Sequence, residues 1–323
     1  MTLFIPGKAY AFGEYTVVRG GHAVILSTTR GLIFDIKESD VFTVESDHFG
    51  RLSEDRFPED LHLKRAMDMA WRALDAFNVS RKPCRIIITS TLDEDGMSLG
   101  LGSSGAFVVG LIKALLSWHG IDLSSENLYK LAVLSHEDDT GLTSFGDYAV
   151  SAYASDVIYK KMDMVPKGNL PDMLEVQWPG LDIRPVRMPF PWTLVNVGEK
   201  KSSHDLVKAV MKDLDCVDDA LTMMDDACAD AIKAMTQDDM KCLHEAVSHA
   251  QDAFVSLSSL TQAPLRVPAY KALIDRARAL GVSCKISGAG GGDNLICFGN
   301  RHALGMLAQE IEPPYRVFEG VFK

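Results

Sequence analysis

The chain has 323 residues, a length that predicts about two domains at roughly 150 residues each. Hydrophobic residues make up 47% of the chain and charged residues 24%, values of globular proteins that argue against bulk disorder. With 33 Lys and Arg against 44 Asp and Glu, the net charge of −11 disfavours a general nucleic-acid or anionic-membrane surface. An anionic substrate is still possible, because a few local lysines and helix N-termini can offset the global field.

Neither a membrane span nor a secretory signal is readable in the sequence. The longest apolar stretch, residues 106–116, is shorter than the roughly 20 residues that cross a bilayer, and Gly110 and Lys113 interrupt it. Residues 1–6 lack a basic flank followed by an apolar core, so we expect a cytoplasmic protein. The cysteines form no C-x-x-C pair, and we expect reduced, mostly buried thiols at Cys84, Cys216, Cys228, Cys242, Cys284 and Cys297.

Local patterns predict that the first half of the chain is a sheet with helices. Strand-like patterns cover residues 23–26, 32–36, 42–45 and 85–90. Helical patterns cover residues 62–77, 104–118 and 125–135, and a shorter helix-like run covers residues 148–153.

The second half of the chain is predicted to be richer in helices. Residues 162–192 hold too many Pro and Gly for a helix, so we interpret them as a crossing between two domains that also has room for strands. The elements predicted beyond this crossing are a strand at residues 193–197, helices at 203–214, 218–235, 238–257 and 268–280, and strands at 282–287 and 294–298. A helix and then a strand at residues 315–322 are the last predicted elements. Strands followed by helices, without regular alternation, favour an α+β fold over a doubly wound sheet.

A glycine-rich turn precedes the most apolar predicted helix and contains Gly100, Leu101, Gly102, Ser103, Ser104 and Gly105. Its G-x-G-x-x-G spacing matches a dinucleotide fingerprint, but that fold needs the turn directly after an apolar strand, whereas residues 93–98 are mostly polar. Walker and protein-kinase motifs are absent from the sequence. Two interpretations stay open: a cradle of N–H groups and hydroxyls for a polyphosphate and its Mg²⁺, or an ordinary turn in which Ser103 or Ser104 caps the helix.

A second glycine-rich segment, residues 287–293 (SGAGGGD), lies between two predicted strands. So many small residues give up packing and cost backbone entropy, and a tight hairpin alone rarely needs them. They suit a nest of N–H groups that wraps an anion. Two such loops in separate halves of the chain therefore predict a phosphate-rich ligand between two domains.

Three motifs in order resemble the GHMP kinase superfamily over nearly the whole chain. They are residues 7–15 (GKAYAFGEY), 100–106 (GLGSSGA) and 285–293 (KISGAGGGD). The resemblance implies an α+β two-domain fold, with a domain similar to ribosomal protein S5 at residues 1–165 and a ferredoxin-like domain at residues 190–323. It also implies a phosphotransferase whose active site lies in the cleft, with ATP and Mg²⁺ as the phosphoryl donor.

Within the superfamily, the first and third motifs and the Lys-Lys-Ser-Ser-His segment at residues 200–204 resemble phosphomevalonate kinases. That similarity implies transfer of the ATP γ-phosphoryl group to 5-phosphomevalonate in the mevalonate (isoprenoid) pathway, by a monomer or homodimer. A hydroxyl acceptor, either mevalonate 3-phosphate at its 5-position or mevalonate itself, is the close alternative, because the catalytic parts are shared. A non-catalytic member that binds ligand is a third hypothesis, which Lys8, Asp147 and the two loops disfavour.

The resemblance also assigns roles to individual residues. It implies that Lys8 contacts the phosphoryl group during its transfer. It also implies that Asp147 faces Lys8, where it would act as a base for an alcohol acceptor or would orient Lys8 and a phosphate acceptor. Ser104 and Glu137 are candidates for Mg²⁺. The expected substrate contacts are Ser144, Ser202, Ser203, His204, Ser287, Gly288, Ala289 and Gly290.

This sequence departs from the superfamily pattern at three places. Residues 136–143 differ from it in length and composition, which concerns the acidic Mg²⁺ ligand and the shape of the acceptor pocket. Gly96 stands where many members have Pro, and Asn294 stands where Cys often follows the glycine run. Neither of these two changes removes a catalytic group.

Overall fold

Two β-sheets, of seven and four strands, and the helices packed on them enclose two hydrophobic cores, and two further short strands form a small sheet of their own. The computed structural model describes residues 1–47, 50–53, 61–94, 97–136, 141–198, 201–292 and 294–318. Within these ranges, the predicted α+β class is confirmed, because strands and helices occur without regular alternation along the chain.

The first half of the chain supplies the larger sheet and the helices that cover it. Its elements are β1 (Thr2–Phe12), a 3₁₀ turn (Thr16–Arg19), β2 (His22–Glu38), β3 (Thr43–Ser46), β4 (Gly50–Ser53), α1 (Leu61–Ala76), β5 (Cys84–Ser90), β6 (Asp93–Glu94), β7 (Met97–Ser98), α2 (Ser103–Trp118), α3 (Ser125–Leu134), α4 (Gly146–Tyr153), β8 (Asp156–Lys160), α5 (Leu170–Glu175) and β9 (Asp182–Val186). The strand order of the larger sheet is β4-β3-β5-β2-β8-β9, and β1 also pairs with β2, whereas β6 and β7 pair with each other in a separate two-stranded sheet.

Strand β2 is 17 residues long and merges two strands that the sequence predicts separately. The polar stretch between them stays extended because β1 pairs with it, Pro6 opposite Gly31 and Lys8 opposite Ser27. The register shifts between Pro6 and Lys8, which is where the first motif leaves the regular ladder.

Helix α2 is largely buried in the first core, as its apolar composition predicts. Gly110 lies directly against the ring of Phe34 on β2, where an added Cβ would be 2.2 Å from a ring carbon. The helix therefore packs close to the sheet, and its N-terminus is held in a fixed position beside β1.

The second half of the chain supplies a four-stranded antiparallel sheet in the order β11-β12-β10-β13. Its elements are β10 (Trp192–Asn196), α6 (Ser203–Val210), α7 (Leu214–Gln237), α8 (Met240–Thr261), α9 (Pro268–Ala279), β11 (Ser283–Ser287), β12 (Asn294–Phe298), α10 (Arg301–Glu310) and β13 (Arg316–Phe318). Across the described ranges, the helices are all too short or too polar to cross a bilayer.

The segment predicted as a crossing contains regular structure of its own. It holds α5 and β9, and β9 pairs with β8, so the larger sheet continues past residue 165. Helix α6 ends at Val210 rather than at residue 214, because the side chain of Asp213 accepts the N–H of Cys216 and begins α7. The domain bounds 1–165 and 190–323 stay a prediction.

The expectation of six reduced thiols is wrong for one pair, because Cys284 and Cys297 form a disulfide. The two residues lie directly opposite each other on β11 and β12, with their Cα atoms 4.1 Å apart. Strand register brings them together, and a search for C-x-x-C spacing does not detect such a pair. The remaining four cysteines are free thiols, of which Cys84 and Cys228 are buried.

Candidate active site

The first glycine loop lies against β1 and holds Lys8 from two sides. The Lys8 N–H donates to the Leu101 carbonyl at 2.8 Å, and Lys8 Nζ donates to the Gly100 carbonyl at 3.2 Å. Gly102 has a left-handed backbone with φ 78°, and an added Cβ would lie 2.8 Å from Lys8 Cγ. Glycine is therefore required at position 102 both by its own backbone and by the Lys8 side chain.

Helix α2 begins directly after this glycine. Gly102 is the N-cap residue and no side-chain cap bond is present, so the ordinary serine cap considered from the sequence is wrong. Ser103 and Ser104 are the first two helical residues, and both line a cleft. Because the first N–H groups of a helix have no intrahelical partner and carry its positive dipole end, this arrangement suits an anion.

Asp147 lies in the first turn of α4, close to the start of α2. Its Oδ2 would be 2.2 Å from a Cβ added at Gly105, so this glycine makes room for the carboxylate. Burial raises the pKa of Asp147, and the positive charge of Lys8 opposes that rise. Lys8 and Asp147 thus face the same cleft as an electrostatic pair.

Ser144 lies just before α4 and is held by two buried tyrosines. Its Oγ is 2.9 Å from Tyr10 Oη, and its carbonyl accepts a hydrogen bond from Tyr159 Oη at 2.6 Å. Tyr129 Oη lies 2.8 Å from Tyr159 Oη and extends this chain of hydroxyls into the core. The next residue, Phe145, is buried with φ 56°, a left-handed backbone that non-glycine residues rarely adopt.

The second glycine loop is attached to the first motif by side-chain hydrogen bonds. Ser287 Oγ donates to the Tyr10 carbonyl at 2.7 Å, and Tyr15 Oη donates to the Ala289 carbonyl at 2.6 Å. Four glycines give the loop its left-handed backbone, Gly288, Gly290, Gly291 and Gly292. The loop is therefore held in one shape against β1 and the turn that follows it.

A buried ion pair also joins the first motif to the third. Lys285 Nζ donates to Glu14 Oε1 and to the Ile286 carbonyl, the latter at 2.6 Å. The Lys285 side chain is 0% exposed and that of Glu14 is 1% exposed, while the ammonium lies 5.5 Å from the ring centroids of Phe12 and Phe254. Burial raises the pKa of Glu14, and Lys285 opposes the rise. Sequence reasoning missed this pair, whose one signal was a charged residue inside each motif beside apolar neighbours.

These elements converge on a cleft of about 390 Å³ between the two halves of the chain. The predicted site residues that line it are Lys8, Gly100, Gly102, Ser103, Ser104, Ser144, Asp147, Ser203, His204, Ser287, Gly288 and Ala289. Tyr10 and Glu14 also line the cleft, although the sequence did not assign either of them a role.

The remaining predicted residues lie elsewhere. Leu101 is buried in the first core, and Gly105 and Gly290 pack against neighbouring chain where an added Cβ would clash. The Ser202 side chain caps α6. Glu137 lies outside the described residues.

The lining of the cleft fits a polyphosphate. Lys8 supplies one positive charge, and the start of α2 supplies N–H groups and two hydroxyls. In the part of the chain that the structure describes, no three Asp, Glu, His or Cys side chains converge as a metal site. The described side chains that would fit Mg²⁺ beside a bound polyphosphate include the serine hydroxyls at the start of α2, such as that of Ser104.

The sequence matches two family models. The model for the GHMP kinases N terminal domain matches residues 62–155, and the model for GHMP kinases C terminal matches residues 231–310, together more than half of the chain. The chain is 28% identical to a phosphomevalonate kinase of Streptomyces sp. (strain CL190), over 89% of this chain and 87% of that protein. It is 23% identical to a mevalonate kinase of Saccharolobus solfataricus, over 91% of this chain and 88% of that protein.

The fold is also that of solved structures. The complex of Streptococcus pneumoniae phosphomevalonate kinase with phosphomevalonate and AMPPNP has a TM-score of 0.87, at 23% identity, over 98% of this chain and all of that one. This likeness confirms the two-domain fold that the motifs imply. The chain belongs to the GHMP kinase family of phosphotransferases.

Proposed function

We propose that this enzyme transfers the γ-phosphoryl group of ATP to 5-phosphomevalonate, giving diphosphomevalonate and ADP. The observation that carries the proposal is the convergence of Lys8, Asp147 and both glycine loops on one cleft, which Ser203 and His204 also line. Two similar proteins support the proposal: the Streptomyces relative is a phosphomevalonate kinase, and the Streptococcus pneumoniae phosphomevalonate kinase, whose structure is similar, is in complex with phosphomevalonate and AMPPNP.

In this mechanism, N–H groups at the start of α2 hold the donor phosphates and Lys8 stabilises the charge that spreads over the moving phosphoryl group. A terminal phosphate oxygen of the acceptor forms the new bond to the γ-phosphorus, while the bond to the bridging oxygen breaks and its electron pair leaves with ADP. Mg²⁺, when bound, neutralises charge on the donor phosphates. Because the acceptor oxygen is already anionic, Asp147 serves to orient Lys8 and the acceptor rather than to remove a proton.

A hydroxyl acceptor is the second candidate, because several curated relatives are mevalonate kinases of similar coverage. For mevalonate or mevalonate 3-phosphate, the carboxylate of Asp147 would take the hydroxyl proton. A non-catalytic ligand-binding role is the least supported, since Lys8 and Asp147 are both present and face one cleft. The cytoplasmic location and the monomeric or homodimeric state stay predictions.

The test is an ADP-release assay with 5-phosphomevalonate, mevalonate 3-phosphate and mevalonate as parallel acceptors. We expect the highest kcat/KM with 5-phosphomevalonate. If none of the three is turned over while ATP still binds, the mevalonate-pathway assignment is wrong.

The proposed roles of Lys8 and Asp147 are tested by Lys8→Ala and Asp147→Asn. Each should lower kcat by about 100-fold or more, because each acts on the transferring group or its orientation. Lys64→Ala and Asp68→Asn, which remove the same charges from the exposed face of α1, are matched controls that should retain wild-type kcat. Wild-type turnover in both cleft variants would show that the roles are misplaced.

A further inference from the structure

Tyr10 lines the cleft but belongs to neither glycine loop. It lies on β1 two residues after Lys8, is 7% exposed, and forms part of the cleft lining. The Lys8 ammonium is 5.6 Å from the centroid of its ring. Burial and the nearby charges of Asp147 and Glu14 raise the pKa of Tyr10 far above its ordinary value, so its hydroxyl keeps its proton.

Among the residues that the structure describes, the hydroxyl of Ser144 has two hydrogen-bond partners, Gly146 and Tyr10. Gly146 N–H donates to Ser144 Oγ at 3.4 Å, and Tyr10 Oη is 2.9 Å from the same oxygen. Of two hydroxyls in contact, the phenol is the stronger acid and therefore the better donor. A serine hydroxyl has two acceptor lone pairs and one hydrogen, so with both lone pairs used, only the hydrogen is left for a ligand.

The surrounding chain is shaped to keep this arrangement. A Cβ added at Gly146 would lie 2.3 Å from Tyr10 Oη, so glycine at this position makes room for the phenol hydroxyl. The backbone of Ser144 is fixed independently, because its carbonyl accepts from Tyr159 Oη at 2.6 Å. Ser144 is thus held at the cleft through both its backbone carbonyl and its side-chain oxygen.

We infer that Tyr10 is a positioning residue that makes Ser144 a one-way hydrogen-bond donor, so that the site favours acceptors that place an anionic oxygen beside it. The inference rests on the proposed function of this same cleft and adds the chemistry that selects the acceptor. A hydrogen bond from a neutral hydroxyl to an ionised oxygen is about twice as strong as one to a neutral hydroxyl. A phosphorylated acceptor gains this bond at its phosphate, and an unphosphorylated one can gain it only at a carboxylate.

The experiment compares Tyr10→Phe, Ser144→Ala and the double variant with the wild-type full-length chain. In Tyr10→Phe we expect the acceptor KM to rise about 5- to 10-fold, while kcat and the KM for ATP change by less than about twofold, because one acceptor-side hydrogen bond loses its direction. The double variant should bind acceptor no worse than Ser144→Ala alone, since Tyr10 acts through Ser144. Tyr153→Phe, which removes a phenol hydroxyl from the same region outside the cleft lining, is the control for structural loss.

The choice of acceptor separates the two anionic groups. A KM rise for 5-phosphomevalonate but not for mevalonate identifies the phosphate as the partner of Ser144, and an equal rise for both identifies the carboxylate. Unchanged acceptor KM in Tyr10→Phe, an equal rise in the KM for ATP, or additive losses in the double variant would overturn the inference.

Calorimetric binding of 5-phosphomevalonate without ATP distinguishes this inference from the proposed function. Wild-type binding that weakens in Tyr10→Phe supports the role of Tyr10 even where turnover is absent, in which case only the proposed reaction fails. Wild-type protein that neither binds nor turns over any of the acceptors contradicts both.

Discussion

Replacing Lys285 by Met removes one charge from the buried pair that joins the first and third motifs. Methionine keeps an unbranched side chain of similar length, so packing against Phe12 and Phe254 is largely retained. The ammonium and its hydrogen bond to the Ile286 carbonyl are lost. The Glu14 carboxylate, 1% exposed, is then left in the interior without its cation.

The expected loss in free energy of unfolding is about 3–5 kcal/mol near neutral pH, the cost of removing one member of a buried ion pair. Glu14→Gln should also be destabilising, because it leaves the ammonium of Lys285 buried without its carboxylate. The double variant Glu14→Gln/Lys285→Met should recover more than half of the loss of either single variant, since no uncompensated charge remains.

The measurement is chemical denaturation of all four proteins at about pH 7.5 and about pH 5.5. In Lys285→Met, burial raises the pKa of Glu14 without an ammonium to oppose it. A carboxyl whose pKa is higher in the folded state stabilises the fold at low pH and loses that contribution as pH rises through the folded pKa, so the deficit should be smaller at pH 5.5. Lys271→Met, at an exposed ion pair, should leave stability unchanged. A deficit below about 1 kcal/mol at both pH values, or one that grows on acidification, would refute the reasoning.

Two further predictions concern the start of α2 and the cleft carboxylate. Gly105→Ala should lower kcat about 100-fold, because its Cβ would displace the Asp147 carboxylate. Gly110→Ala on the same helix is the control: its Cβ would press on Phe34 and lower the free energy of unfolding by about 1–3 kcal/mol, while kcat should stay unchanged. Equal losses of kcat in both variants would contradict the prediction. Asp147→Asn should raise the melting temperature of the ligand-free protein near neutral pH, because burial raises the pKa of Asp147 and its ionised form therefore disfavours the folded state. A lower melting temperature in Asp147→Asn would contradict this prediction. In the pH profile of wild-type kcat/KM, we expect the loss of activity towards acid to have an apparent pKa above the ordinary value of an aspartate.

The sequence predicted the elements that depend on local pattern and composition. The helix predicted at residues 104–118 and the strand at 85–90 occur within a residue of their expected bounds, because periodicity and β-branched composition act locally. The glycine loops were recognisable because few other structures need so many small residues. Which residue of a loop faces the ligand was not readable, since Leu101 turns into the core.

Features set by distant parts of the chain were beyond local patterns. The merging of two predicted strands into β2 depends on pairing with β1. The Cys284–Cys297 disulfide depends on the register of β11 and β12. The contact between Tyr10 and Ser144 joins residues 134 positions apart, and no sequence pattern near either residue indicates the contact.

The pair between Glu14 and Lys285 spans 271 positions, and this has a consequence for the order in which the protein can be completed. A ribosome adds Lys285 to the growing chain 271 positions after Glu14. Until Lys285 is made, burial of the ionised carboxylate has a free-energy cost that no cation offsets, which favours leaving Glu14 in water. The ion pair between the first and third motifs therefore forms late in synthesis, and a nascent or truncated chain that ends before Lys285 lacks the contacts that join the two sides of the cleft.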